Sequence, residues 1–230
     1  MCPPSETTAP SAAGPETSLI PSAQVDALQR LCPQSGSSTA LLDHVLSVLP
    51  LAIVHHSLRV YLFAKWLADK EHDPLADSDL LFAAAIGHDL GACRQHSNTS
   101  ERFEVEGADA TVSILTEHGV SAADAHQVWT AIALHTSPHI AERITPLARL
   151  VRLGVLIDFR PLSRESYAAV EYGKEIETKL ARLNIEKILG DAVVGQALQN
   201  PAKAPPASWP NNLYKSYLED PTWTGTNRGF

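Results

Sequence analysis

Leu49–Leu67 reads LPLAIVHHSLRVYLFAKWL. Ala52, Ile53, Val60, Phe63 and Leu67 lie three, four, seven or eleven residues from His56. That spacing puts them on one helical stripe, so His56 sits on an apolar helix face. His55 is rotated by about a hundred degrees and shares its side with Arg59, Leu62 and Trp66. Pro50 stands where a helix start tolerates a residue without an N–H. The same periodicity continues outward. It predicts helices over about 41–49, 51–70, 79–89, 102–118, 122–136, 146–159 and 163–189. Ser78 and Ser121 are candidate N-caps, and Gly119 is a candidate C-terminal glycine. Strand-like alternation with β-branched residues is nearly absent, so the fold class is all-α.

The chain has 230 residues, 44% of them hydrophobic, enough for one substantial core. Net charge is -8, with no block of Lys or Arg, which argues against nucleic acid and anionic membrane as partners. Cys2, Cys32 and Cys93 are widely spaced and odd in number. They form no disulfide framework and suggest a reducing compartment. The first twenty residues lack a basic start and an apolar core, so no secretory signal is read there. Apolar runs fall far below the roughly 18 residues of a membrane span. The expectation is a soluble cytoplasmic protein.

Three zones follow from composition. Residues 1–39 are rich in Ser, Thr, Pro and Ala, with one apolar patch at Val25–Leu31, and read as a low-complexity arm. Residues 40–200 hold the helical domain. Residues 201–230 have four prolines before Tyr214 and then aromatics. Prolines oppose regular structure, yet Trp209, Tyr214, Tyr217, Trp223 and Phe230 are too apolar for a free tail. An extended segment docked on its own domain or on a second subunit is expected.

Polar groups interrupt three apolar faces. AAAIGHDLG (Ala83–Gly91) ends a hydrophobic helix on His88 and Asp89. Asp158 follows Leu147, Val151, Gly154 and Val155 on one stripe of PLARLVRLGVLIDF. Gly154, one turn earlier, would let another backbone approach. Two isolated buried carboxylates would be costly. A divalent cation accounts for His56, His88, Asp89 and Asp158 together, because imidazoles and carboxylates satisfy one another around it.

These residues resemble the HD-domain metalloenzyme superfamily, whose signature is a His, an adjacent His-Asp pair and a distal Asp. HSLRV (His56–Val60), GHDLG (Gly87–Gly91) and Asp158 carry the likeness. It implies a single HD-domain helical bundle with irregular arms at both ends, and His56, His88, Asp89 and Asp158 as metal ligands. RFEVEGADA (Arg102–Ala110) and AIALHTSP (Ala131–Pro138) narrow the resemblance to the subgroup that includes cyanamide hydratases. Those relatives add water to a nitrile and suggest a homodimer. The motifs cover about residues 50–160. Three features depart from the pattern. No His lies between His96 and His118, where many relatives hold a second metal. His139 replaces an expected glycine. IDFRP follows Leu156.

The resemblance implies a metal-dependent hydratase or hydrolase acting on a small molecule. Mixed N and O ligands fit zinc, with iron, manganese, cobalt or nickel as alternatives. Such a cation would bring a bound water's pKa towards about 7. Asp89, His135, Thr136 and Glu104 are the candidate catalytic groups, His135 and Thr136 donating and orienting and Glu104 relaying protons. The alternative is a metal-dependent phosphohydrolase, with Arg94, His96, Asn98 and Arg102 clamping a phosphate. A metal-stabilised binding module without turnover is the third reading. Cys93 reads as a buried thiol. His44, His72, His118 and His126 are given no functional role, His118 suiting a helix C-terminus.

Overall fold

The computed structural model describes residues 21–220 and 222. Trp223, Phe230, Cys2 and the first half of the N-terminal arm lie outside the described residues. Twelve helices and no strand occur among those described. They are α1 (Ser22–Gln29), α2 (Gly36–Val48), α3 (Leu51–Glu71), α4 (Asp79–Gly87), α5 (Phe103–Glu117) and α6 (Ala122–Leu134), followed by α7 (Ala141–Ile144), α8 (Pro146–Phe159), α9 (Pro161–Ser166), α10 (Val170–Lys179), α11 (Ile185–Gln199) and α12 (Trp209–Glu219). No described helix is long and apolar enough to cross a membrane.

The expected punctuation is present. Ser78 Oγ accepts from Leu80 N, and Ser121 Oγ accepts from Asp124 N. Gly119 takes φ +80° after α5, a conformation that costs glycine little. The core centres on α3, α4 and α8. Every residue of α4 from Leu81 to Gly87 is buried, so that helix is apolar all round. Phe63 and Phe82 are fully buried, each contributing about 1.5–3 kcal/mol.

Gly154 sets the distance between α3 and α8. A Cβ there would lie 2.6 Å from the Val60 carbonyl oxygen. A second close approach occurs where the Leu90–Ala92 turn meets α5, since a Cβ on Gly91 would lie 2.0 Å from the Phe103 oxygen.

Three expectations are corrected. The arm assigned to residues 1–39 is partly helical: α1 forms around the Val25–Leu31 patch, and α2 starts at Gly36, where Ser35 Oγ accepts from Ser38 N. The long helix expected over 163–189 is divided into α9, α10 and the start of α11. Ala168, Leu183 and Asn184 have positive φ at the breaks. Folding the chain back brings Arg164, Glu177 and Arg182 together near Asp158.

The C-terminal segment is not extended throughout. α12 spans Trp209–Glu219 because Pro210 occupies the first turn, where no N–H is required, and Ser208 Oγ accepts from Asn211 N. Docking on its own domain is observed: Trp209 and Leu213 are buried, and the Trp209 ring lies 5.6 Å from that of Phe103. Lys203 fastens the preceding turn, bonding the Glu101 carbonyl at 3.0 Å and pairing with buried Glu106.

Candidate metal centre

Three histidines reach the interior with their Nδ1 ends already occupied. His88 and His135 each follow the last residue of a helix, α4 and α6, where carbonyls lack intrahelical donors. His88 Nδ1 donates to the Ala85 oxygen and His135 Nδ1 to the Ile132 oxygen, both at 2.7 Å. His56, in the middle of α3, donates from Nδ1 to Asp158 Oδ2, also at 2.7 Å. Acceptors that carry no proton fix Nδ1–H in all three rings, leaving Nε2 directed inward.

Asp89 is what those Nε2 atoms face. Its Oδ2 lies 3.2 Å from His88 Nε2 and 3.5 Å from His56 Nε2, while Oδ1 lies 3.7 Å from His135 Nε2. His56 and His88 bring their Nε2 atoms within 3.2 Å of each other. Asp89 is 1% exposed, yet neither carboxylate oxygen accepts a hydrogen bond from a described residue. Unpartnered buried carboxylate oxygens are expensive. Their placement against imidazole lone pairs defines a position for positive charge. Among the described residues, His56, His88 and Asp89 are the group whose donor atoms converge closely enough to hold a metal ion.

Electrostatics agree. Burial lowers the His56 pKa more than the neighbouring carboxylates raise it. Burial and His88 push His135 down to about 3. Burial also works against a charged His88, but Asp89 outweighs it and the net shift is upward. Burial alone would raise Asp89, and the surrounding histidines hold it well below the usual carboxylate range. The four groups thus favour one positive charge beside a carboxylate anion.

Asp158, expected as a fourth ligand, lies on the Nδ1 side of His56. Its carboxylate binds the Nδ1 end of His56, whereas Nε2 of that ring faces Asp89. Arg59 grips the same carboxylate through Nε and Nη2, each at 2.8 Å, and Arg182 Nη1 adds a contact at 3.3 Å. The Arg59 and His56 bonds overcome burial and keep Asp158 ionised. Its oxygens are engaged in orienting His56, and it does not join the converging donors.

Glu104 and Thr136 do meet. Thr136 Oγ1 donates to Glu104 Oε1 at 2.6 Å. Glu104 Oε2 accepts no hydrogen bond from a described residue and lies 3.4 Å from Arg102 Nε. Burial raises the Glu104 pKa against the opposing pull of Arg102 and Thr136. Phe103 links this pair to the centre, its ring 5.7 Å from that of His135.

The residues of the alternative phosphate clamp have these surroundings. Arg94 is exposed, Asn98 bonds the Gln95 oxygen, and Arg102 bonds the Ala133 oxygen. His96 pairs with His44. Cys93 is buried, as expected. His118 donates to the Ile114 oxygen at the end of α5. His139, at φ +67°, lines an open cleft of about 580 Å³ with Glu142, Arg143, Leu156, Leu162 and Tyr167. None of the converging histidines or Asp89 lines that cleft.

Sequence reasoning missed Arg59 and Arg152. Arg59 follows His56 by three residues on a buried helix, and that spacing was the available signal. Arg152 Nη1 bonds the His135 carbonyl at 3.0 Å and its Nε approaches Glu142 at 3.4 Å. Nothing local marks it, because both partners are distant in sequence.

No curated protein matches the chain. Residues 53–154 match the HD domain family, a span that contains His56, Arg59, His88, Asp89, Glu104, His135 and Gly154. HD domains bind divalent metal ions and are generally metal-dependent hydrolases, and the His56–His88–Asp89 group is compatible with that chemistry. Within this helical bundle, residues 53–154, which carry the converging histidines and Asp89, are similar to the HD domain family.

Proposed function

We propose that the chain is an HD-domain metalloenzyme that uses a single divalent cation, held by His56, His88 and Asp89, to add water to a small nitrile-like molecule. The observation that carries the reading is the Asp89 carboxylate, buried without a hydrogen bond and faced by three Nε2 atoms. Zinc fits the mixed N and O donors. When bound, the cation supplies a Lewis acid and an acidified water.

The chain's own groups provide the rest. Asp158 and Arg59 fix the ring of His56. His135 presents Nε2 to the second Asp89 oxygen, 3.7 Å away. Burial raises the Glu104 pKa, which suits it to pass a proton from Oε2 to a substrate nitrogen, while Thr136 holds Oε1 and sets the carboxyl orientation. His56, His88, Asp89, Glu104, His135 and Thr136 are each buried, which favours a small neutral substrate over a nucleotide. The substrate need not be cyanamide itself, since any small molecule with an electrophilic carbon bonded to nitrogen meets these requirements.

The test is a turnover screen of the metal-loaded chain with cyanamide, small nitriles and a nucleotide panel. Water addition to a cyanamide or nitrile, lost in Glu104→Gln, is expected. Phosphate release from a nucleotide, lost in His88→Ala, would replace this reading with a phosphohydrolase.

A further inference from the structure

A second pair of histidines meets outside the centre. His44 comes from α2 and His96 from the Arg94–His96 turn, 52 residues away. Their Nε2 atoms are 2.7 Å apart and their ring centroids 5.0 Å apart. Both rings are half-buried, so one side reaches solvent. Burial lowers both pKa values, and for His96 the adjacent His44 lowers it further while Glu106 opposes. Both rings are therefore neutral near pH 7. At 2.7 Å, one Nε2 carries a proton and the other accepts it.

We propose that His44 and His96 form a second cation site, selective for nitrogen-seeking transition metals such as Zn²⁺ or Ni²⁺. Two neutral imidazoles with apposed Nε2 atoms form a ready bidentate donor set. Zn–N bonds of about 2.0–2.1 Å at a tetrahedral angle place the two nitrogens about 3.3 Å apart. The rings need separate by only about 0.6 Å to admit the ion at that geometry. One ring moves its proton from Nε2 to Nδ1, so no net proton is released, and water completes the coordination from the exposed side. Mg²⁺ and Ca²⁺ prefer oxygen donors and are excluded by this chemistry.

The site's position gives it a consequence. His96 belongs to the segment that leaves Asp89 and enters α5. That segment is held from another side by Gln196, which bonds the Gly91 oxygen at 2.8 Å, and by Lys203, which pairs with Glu106. Glu106 in turn binds Thr99 through its backbone and hydroxyl. A cation between His44 and His96 adds the tie to α2 and staples the segment on both sides.

The experiment is isothermal titration of the full chain, dialysed free of metal, with Zn²⁺ and separately with Mg²⁺. Wild type is expected to take two equivalents of Zn²⁺, the second at micromolar free metal and unaffected by excess Mg²⁺. His44→Gln and His96→Gln should each retain the first equivalent and lose the second, with unchanged circular dichroism. Asp89→Ala should lose the first and keep the second, which separates this site from the centre described above. Saturation of wild type at the first equivalent, or a second equivalent that survives both histidine substitutions, would overturn the assignment.

Discussion

Gly154→Ala should weaken the fold even though alanine is the better helix former. The new Cβ would lie 2.6 Å from the Val60 oxygen, 3.1 Å from Val60 Cγ1 and 3.4 Å from Ala64 Cβ. An unstrained C···O contact is about 3.3 Å or more, so α3 and α8 must part by about 0.7 Å. The nearest atom is backbone and cannot rotate away. Overpacking costs up to about 3 kcal/mol, and the helix-propensity gain returns about 1 kcal/mol. The net loss is about 2 kcal/mol, a fall in Tm of roughly 4–8 °C for a chain of this size. The same displacement stretches the 2.7 Å bond from His56 to Asp158, because α3 carries one partner and α8 the other. Metal affinity should fall with stability. Gly190→Ala is the control: that glycine lies in α11 with nothing within 4 Å of an added Cβ, so it should stabilise by about 0.5–1 kcal/mol. Thermal unfolding of both variants decides the matter. If Gly154→Ala stabilises as much as Gly190→Ala, the argued contact between the helices is wrong.

Arg59→Met leaves Asp158 buried with a weakened set of partners and should cost about 3 kcal/mol in urea unfolding; a loss below about 1 kcal/mol would show that Arg164 and Arg182 suffice. In the metal-free protein, His135 is held neutral with a pKa of about 3, while the unfolded chain takes up a proton near 6.5. Its contribution is present above pH 6.5 and is lost as the pH falls, by about 2 kcal/mol between pH 7 and pH 5. His135→Gln should flatten the pH dependence by that amount, and an unchanged profile would refute the neutral state. Trp209→Ala removes the ring packed on Phe103 and should cost about 3 kcal/mol; a melting temperature equal to wild type would mean that α12 is not anchored there.

Legibility followed the range of the interactions. Helices α3, α4, α5, α6 and α8 were readable because each carries its own periodicity, and Ser78, Ser121 and Gly119 mark ends of α4, α6 and α5. Gly154 was readable because a glycine in a buried stripe has few other uses. His56, His88 and Asp89 stood out as ionisable groups on faces too apolar for water. The division of 163–189 was not readable, because its cause lies in Asp158 drawing Arg164 and Arg182 inward from different segments. Asp158 itself was placed correctly on an inward face, but its role turned on Arg59, a partner 99 residues away. α12 was obscured by prolines, of which Pro210 sits in the one turn that accepts it. The His44–His96 contact spans 52 residues, and no local pattern announces it.

The proposed chemistry depends on a divalent cation held by His56, His88 and Asp89. Metal analysis of exhaustively dialysed wild type and Asp89→Ala, with circular dichroism of both, tests it most directly. One tightly retained equivalent is expected in wild type and none in Asp89→Ala, with the helical content of the variant preserved and its melting temperature lowered. A folded Asp89→Ala protein that keeps the full tightly bound equivalent would contradict it.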